Sequence, residues 1–166
     1  AFDQEGRWAA QGKIHLPLLQ TLLQEPFLQQ PPPKSTGRDL FNPGWLQAQL
    51  AKDSGYAALQ PQDVQATLTA LTAHSCAEAV QRFGLGSDSL LVCGGGALNT
   101  ELMRQLQALL PQMQVPHTGT RGLPPLPVEA AAFAWLARQC MHGLAGNLPT
   151  VTGSSGPRVL GAIYPA

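Results

Sequence analysis

The sequence is poor in charge. Of its 166 residues, 12% are Asp, Glu, Lys or Arg, about half the usual share. Basic and acidic residues number 10 each, so the formal net charge is zero. A nucleic-acid binder working through phosphate contacts needs a basic excess, and that class is excluded. A polybasic membrane anchor is excluded for the same reason. No apolar run approaches the ~18 residues of a membrane span. The opening, Ala1-Phe2-Asp3-Gln4-Glu5-Gly6, has neither the pattern of a signal peptide nor that of a transit peptide. Cysteine is sparse too. Cys76, Cys93 and Cys140 stand far apart, with no C-x-x-C and no His/Cys cluster. That pattern predicts free, buried thiols and no metal centre. A surface so short of charge suits contact with further protein.

The rest of the chain reads as helices with few strands. Short helices are expected over residues 6–30, where Trp8, Ile14, Leu18, Leu19, Leu22 and Leu23 recur at helical spacing. Asn42 and Pro43 have the chemistry of an N-cap and a first-turn residue for a helix over Pro43–Leu50. The longest helix is expected over Pro61–Phe83. Its broad apolar face holds Val64, Leu68, Leu71, Cys76, Ala79, Val80 and Phe83, and Gly84 stops it. Leu90-Leu91-Val92-Cys93 fits a buried parallel strand, and Gln112–His117 a second. Between them Asn99 or Thr100 caps a helix whose Leu102, Leu106, Leu109 and Leu110 face inward. A last helix runs from Pro127 to His142. Its unbroken apolar stretch, Ala130–Ala137, predicts cover on more than one side. The tryptophans read as core residues. The order of elements makes the fold class α/β.

The strongest chemical signal is Gly94-Gly95-Gly96, directly after the first strand, followed by Ala97, Leu98 and Asn99. Glycines there remove side chains where a ligand must approach the backbone, and the amides after them face outward. In open α/β sheets, ligands bind at the carboxyl ends of the strands. A tight turn with close packing is the alternative. The dinucleotide fingerprint is absent, because G-x-G-x-x-G needs glycine where Asn99 stands. Lys34-Ser35-Thr36 is no phosphate loop, since prolines occupy the positions before the lysine. Lys34 and Arg38 remain candidates for an anion or a partner carboxylate, against a plain rigid surface loop. Glu129 opens the last helix, either stabilising its dipole or holding substrate hydroxyls. His15, His74, His117 and His142 lack ligand spacing, and no catalytic triad or carboxylate pair stands out.

Five segments together resemble one family. They are Pro32-Pro33-Lys34-Ser35-Thr36-Gly37-Arg38, Val92–Ala97, Glu129–Ala137, Gly146-Asn147-Leu148-Pro149 with Val151-Thr152-Gly153, and Val159–Pro165. In this order they resemble the anhydro-N-acetylmuramic acid kinases. The resemblance implies a ribonuclease-H-like domain of the sugar-kinase/actin-type fold, with residues 1–166 as its nucleotide-side, C-terminal domain. It implies ATP and Mg²⁺ as cofactors and 1,6-anhydro-N-acetylmuramic acid as substrate, in cytoplasmic cell-wall recycling. It further implies that the N-terminal half and this domain's first strands are missing partners of the chain, with a second copy as another candidate partner. The family's catalytic aspartate is expected upstream of Ala1, and no catalytic or metal-binding residue is assigned here. Gly94, Gly95, Gly96 and Asn99 match the segment that holds the nucleoside end of ATP. Glu129 matches a glutamate facing the sugar. A non-catalytic nucleotide- or sugar-binding module, or a structural dimerisation domain, are the other readings.

Overall fold

The computed structural model describes residues 2–164, so Ala1, Pro165 and Ala166 lie outside the described residues. Eight α-helices are described: α1 (Leu16–Leu23), α2 (Pro26–Gln29), α3 (Pro43–Leu50), α4 (Ser54–Ala57), α5 (Pro61–Phe83), α6 (Thr100–Leu109), α7 (Val128–Met141) and α8 (Pro149–Thr152). Short 3-10 turns precede α1, α6 and α7.

Helix α5 is the axis of the molecule. Its first half packs on α1, where Leu18, Leu19 and Leu22 meet Ala70 and Leu71. Its second half packs on α6, where Ala73 and Ala77 meet Leu106, Leu110 and Val115. The buried face of α5 is therefore built on Ala66, Ala70, Ala73 and Ala77, with Leu71, Thr67 and Thr69 beside them. This corrects the expected face in part: Leu71 is buried as expected and Leu68 and Val80 pack on the core half-buried, Val64 is half-buried, while Cys76, Ala79 and Phe83 are exposed. Small side chains bring the helix backbones close, and the larger residues flank that seam. Two backbone-to-side-chain bonds fasten the N-terminal segment to the same helix. Lys13 N–H donates to Asp63 Oδ1 at 2.7 Å and His15 N–H to Thr67 Oγ1 at 3.0 Å.

Local chemistry sets the helix ends. Asn42 Oδ1 accepts from Trp45 N–H at 2.9 Å, and Asn99 Oδ1 from Leu102 N–H at 2.9 Å. Each satisfies an orphan first-turn amide. His15 caps α1 through Nδ1, which accepts from Leu18 N–H. At the other end of a helix, Lys34 Nζ donates to Phe27 O at 3.0 Å and Leu28 O at 2.9 Å, closing α2.

The two expected strands pair in parallel but form no continuous ladder among the described residues. Ser89 bridges Gln114 and Val92 bridges His117, each alone. Gln114 N–H donates to Asp88 O, Leu90 N–H to Gln114 O, Val92 N–H to Pro116 O and Thr118 N–H to Val92 O, all at 2.8–3.0 Å. The bond from residue 116 to Leu90 O is absent because proline has no N–H. One residue type splits the pairing in two.

Three further expectations are corrected. Helix α7 has no buried residue; among the described residues the segment after it lies against one side. Cys76 and Cys93 are exposed and Cys140 is half-buried, since none of the three falls on a packed seam. Trp8 and Trp135 are largely exposed. Trp45 alone packs against the first core cluster, with its indole N–H donating to Glu25 Oε2 at 2.8 Å.

Candidate functional site

The glycine turn sits at the carboxyl end of the first bridged segment. Gly94 has φ +70° and ψ −165°, a backbone conformation open to glycine and strained for other residues. Gly95–Leu98 then make one 3-10 turn, and Asn99 passes the chain into α6. A Cβ placed on Gly95 would have no neighbour within 4 Å, so no packing partner excludes a side chain there. The same holds at Gly94. Gly96 is closer to the fold: its Cβ would meet Leu102 Cδ2 at 3.5 Å. Gly94 N–H donates to Pro125 O at 3.0 Å. Among the described residues the amides of Gly95 and Gly96 have no acceptor, and Gly95 is exposed. The turn thus offers two free donors beside open space.

Thr118 lies at the matching end of the second segment, joined through its N–H to Val92 O. Its Oγ1 is buried without a hydrogen-bond partner among the described residues. A buried hydroxyl left unpaired costs about 1–3 kcal/mol, so it is a notable feature beside a candidate binding turn. Nothing in the sequence marked it, because Thr118 follows no motif.

The other candidates divide. Asn99 caps α6 and packs against Gly6, whose Cβ would collide with the Asn99 amide. Its side-chain oxygen is already engaged. Glu129 stands exposed in the first turn of α7, with no hydrogen-bond or ionic partner among the described residues. Helix α7 has no side-chain cap, since Pro127 precedes it, and the carboxylate favours that helix end. The Gly94–Pro125 bond clamps the loop before α7 to the glycine turn, four residues ahead of Glu129. Lys34 is half-buried and closes α2, which answers the anion expectation for it with a structural role, while Arg38 stays exposed.

Two segments singled out in the sequence meet in space. Gly153, at φ +70°, lies so close to Pro33 that a Cβ would stand 2.7 Å from its ring. Asn147 ties the later segment together, with Nδ2 donating to Ser154 Oγ and Gly156 O and Oδ1 accepting from Arg158 N–H. These side chains are consumed in holding the chain's shape.

A larger cavity, about 660 Å³, lies against Phe2, Asp3, Arg7, Trp8 and Gln65 and contains none of the candidate residues. It is an open depression, and the Asp3 carboxylate beside it accepts from Trp8 N–H and Ala9 N–H. Among the described residues no three His, Cys, Asp or Glu side chains come together to hold a metal ion.

Comparison with known proteins covers the whole chain. The profile of the family described as "Anhydro-N-acetylmuramic acid kinase" matches residues 1–166. A protein of that name from Albidiferax ferrireducens is 58% identical over 165 residues, covering 99% of this chain and 42% of the relative. One from Variovorax paradoxus is also 58% identical, over 99% of this chain and 43% of the relative. A Pseudomonas fluorescens protein of that name is 51% identical, over 99% and 44%. The chain therefore spans less than half the length of the curated relatives it matches. With the family model matching residues 1–166 from end to end, the chain belongs to the anhydro-N-acetylmuramic acid kinase family.

Proposed function

We propose that this chain supplies the nucleotide side of an ATP-dependent kinase acting on 1,6-anhydro-N-acetylmuramic acid. In the reaction, water adds its oxygen to the anomeric carbon, the bond from that carbon to O6 breaks, and O6 takes the γ-phosphoryl group of ATP. The products are N-acetylmuramic acid 6-phosphate and ADP. The domain is read as one ribonuclease-H-like unit of the sugar-kinase/actin-type fold, working in the cytoplasm.

The observation that carries the reading is the glycine turn in a chain matched end to end by the kinase family. Open space at Gly95 and the free amides of Gly95 and Gly96 suit the close approach of a nucleoside. Gly94 sets the direction of that turn, and Asn99 holds the helix behind it through its cap. Thr118 Oγ1, unpartnered among the described residues, is buried on the neighbouring segment and not presented to the open space at Gly95. Glu129 is the side chain offered to sugar hydroxyls. Bound Mg²⁺ would neutralise phosphate charge, and no residue of this chain is assigned to it. Positioning of the reactants supplies most of the rate in such transfers. No residue here is assigned as the base acting on water.

Phosphoryl transfer to the anhydrosugar, measured with a family-length polypeptide carrying this sequence, tests the reading. ATP-dependent formation of the 6-phosphate supports it. Tight nucleotide or sugar binding without turnover would replace it with the binding-module reading.

A further inference from the structure

A smaller cavity adjoins the glycine turn. It measures about 230 Å³ and is lined by Gln65, Leu68, Thr69 and Thr72 of α5 and by Asn99 and Leu102 at the start of α6. Asn99 is the residue at which the turn Gly95–Leu98 passes the chain into α6, so the cavity begins where the turn ends. None of the six side chains carries a charge. Without a cation, the cavity is no place for phosphates. Two leucines and four polar side chains suit a flat, uncharged group with apolar faces and a polar edge.

The hydrogen bonds around the cavity narrow the choice. Thr69 Oγ1 donates to Gln65 O and Thr72 Oγ1 to Leu68 O, each at 3.1 Å. Both hydroxyl protons are spent on the helix, which leaves the oxygens as acceptors only. Asn99 Oδ1 accepts from Leu102 N–H, and that cap orients the amide so that Nδ2 remains a donor. Gln65 differs. It is half-buried, and neither Oε1 nor Nε2 has a hydrogen-bond partner among the described residues. Of the six side chains, its carboxamide is the one that offers a donor and an acceptor side by side.

We propose that Gln65 is a specificity-determining residue for the nucleotide, its carboxamide pairing with the 6-amino edge of adenine in this cavity. The two groups match atom for atom. Oε1 accepts from the amino group while Nε2 donates to the adjacent ring nitrogen. Leu68 and Leu102 supply apolar contact to the ring, and Asn99 Nδ2 and the threonine oxygens serve its remaining polar atoms or the ribose hydroxyls. The inference deepens the nucleotide reading of the glycine turn and rests on it.

Equilibrium binding to a family-length polypeptide carrying this sequence tests it, with the Mg²⁺ salts of ATP and of purine riboside triphosphate, which lacks only the 6-amino group. ATP should bind about tenfold tighter or more, because the analogue leaves Gln65 Oε1 without a donor. In Gln65→Met, which keeps the shape of the side chain, the two nucleotides should bind alike, at the affinity of the analogue. Analogue binding untouched by the substitution separates loss of this contact from loss of folding. Equal binding of both nucleotides by the unsubstituted polypeptide would overturn the proposal, and that comparison needs no variant. A preference for ATP that survives Gln65→Met would overturn it too. A polypeptide that binds neither nucleotide would sink the nucleotide reading and this inference with it, whereas one that binds both equally sinks the inference alone.

Discussion

Gly95 is the residue where the functional reading is most exposed to test. Its side-chain direction is empty space, so valine there meets no protein atom and harms only a ligand or the turn itself. In a family-length enzyme, Gly95→Val should raise KM for ATP well above any change in KM for the sugar. Steady-state kinetics with each substrate varied will show it, and equal changes would return the turn to a packing role. Glu129 separates differently. It is exposed and without a partner among the described residues, so the dipole interaction is worth only about 0.3–1 kcal/mol. A carboxylate accepting sugar hydroxyls contributes about 1.5–3 kcal/mol. Glu129→Gln should therefore lower kcat/KM for the anhydrosugar by roughly one to two orders of magnitude. Unchanged sugar kinetics with a slightly lower melting temperature would leave dipole stabilisation as its whole role. Glu101 carries a prediction of pH dependence. The Arg104 guanidinium, bonded to both carboxylate oxygens, holds its pKa below the ordinary value, with Gln105 adding a further bond. A depressed carboxyl pKa gives stability that is present above the unfolded value of about 4.3. That stability is lost as pH falls through the folded value. Glu101→Gln should flatten the acid limb of stability in urea melts below about pH 4.3 and leave the slope near neutrality alone.

At the scale of elements, what was legible in the sequence was local. The bounds of α5 follow from Pro61 at its start and Gly84 after its end, and the caps of α3 and α6 from Asn42 and Asn99, whose side chains act within three residues. What was illegible depended on partners distant in sequence. The face of α5 was read from its large residues; Leu71 holds there, yet the close approach of α1 and α6 also selects Ala66, Ala70, Ala73 and Ala77, which the pattern of large residues left out. That gives a direct test. Ala73 is fully buried between the helices, and Ala73→Leu should destabilise the chain by about 1–3 kcal/mol through overpacking, read as a lower urea midpoint. The cover of α7 could not be read at all, since apolar periodicity reports a face and not its occupant. The glycine turn was legible as a motif, while Thr118 was not, because its isolation arises only when the two bridged segments meet. The candidate roles of Asn99 and Lys34 changed for one reason. A side chain with good local geometry is taken up by the nearest orphan backbone group.

For the whole molecule, the chain spans less than half the length of the relatives it matches. Under the proposed function, a glycine turn and a single carboxylate do not by themselves align water, an anomeric carbon and a phosphoryl group. Chain 1–166 by itself should show no phosphorylation of 1,6-anhydro-N-acetylmuramic acid in a coupled ATP-consumption assay. Turnover by the chain alone in the usual kinase range, about 1–100 per second, would mean that these residues contain the complete machinery. Net charge and apolar exposure point the same way. With zero formal charge and an uncovered α7, the chain has the surface of a component more than of a free-standing enzyme.

The break at Pro116 also bears on motion. The two hydrogen-bonded pairs on either side of it share no bond, so each can open without the other. The pair nearer the turn is Val92 N–H to Pro116 O and Thr118 N–H to Val92 O. The pair at Leu90 and Gln114 stays anchored beside the α5–α6 core. Opening the pair beside the turn would cost its two bonds, the packing of Val92 on the α5–α6 core and the Gly94–Pro125 bond that holds the turn from its other side, so the turn is the more firmly held of the two ends.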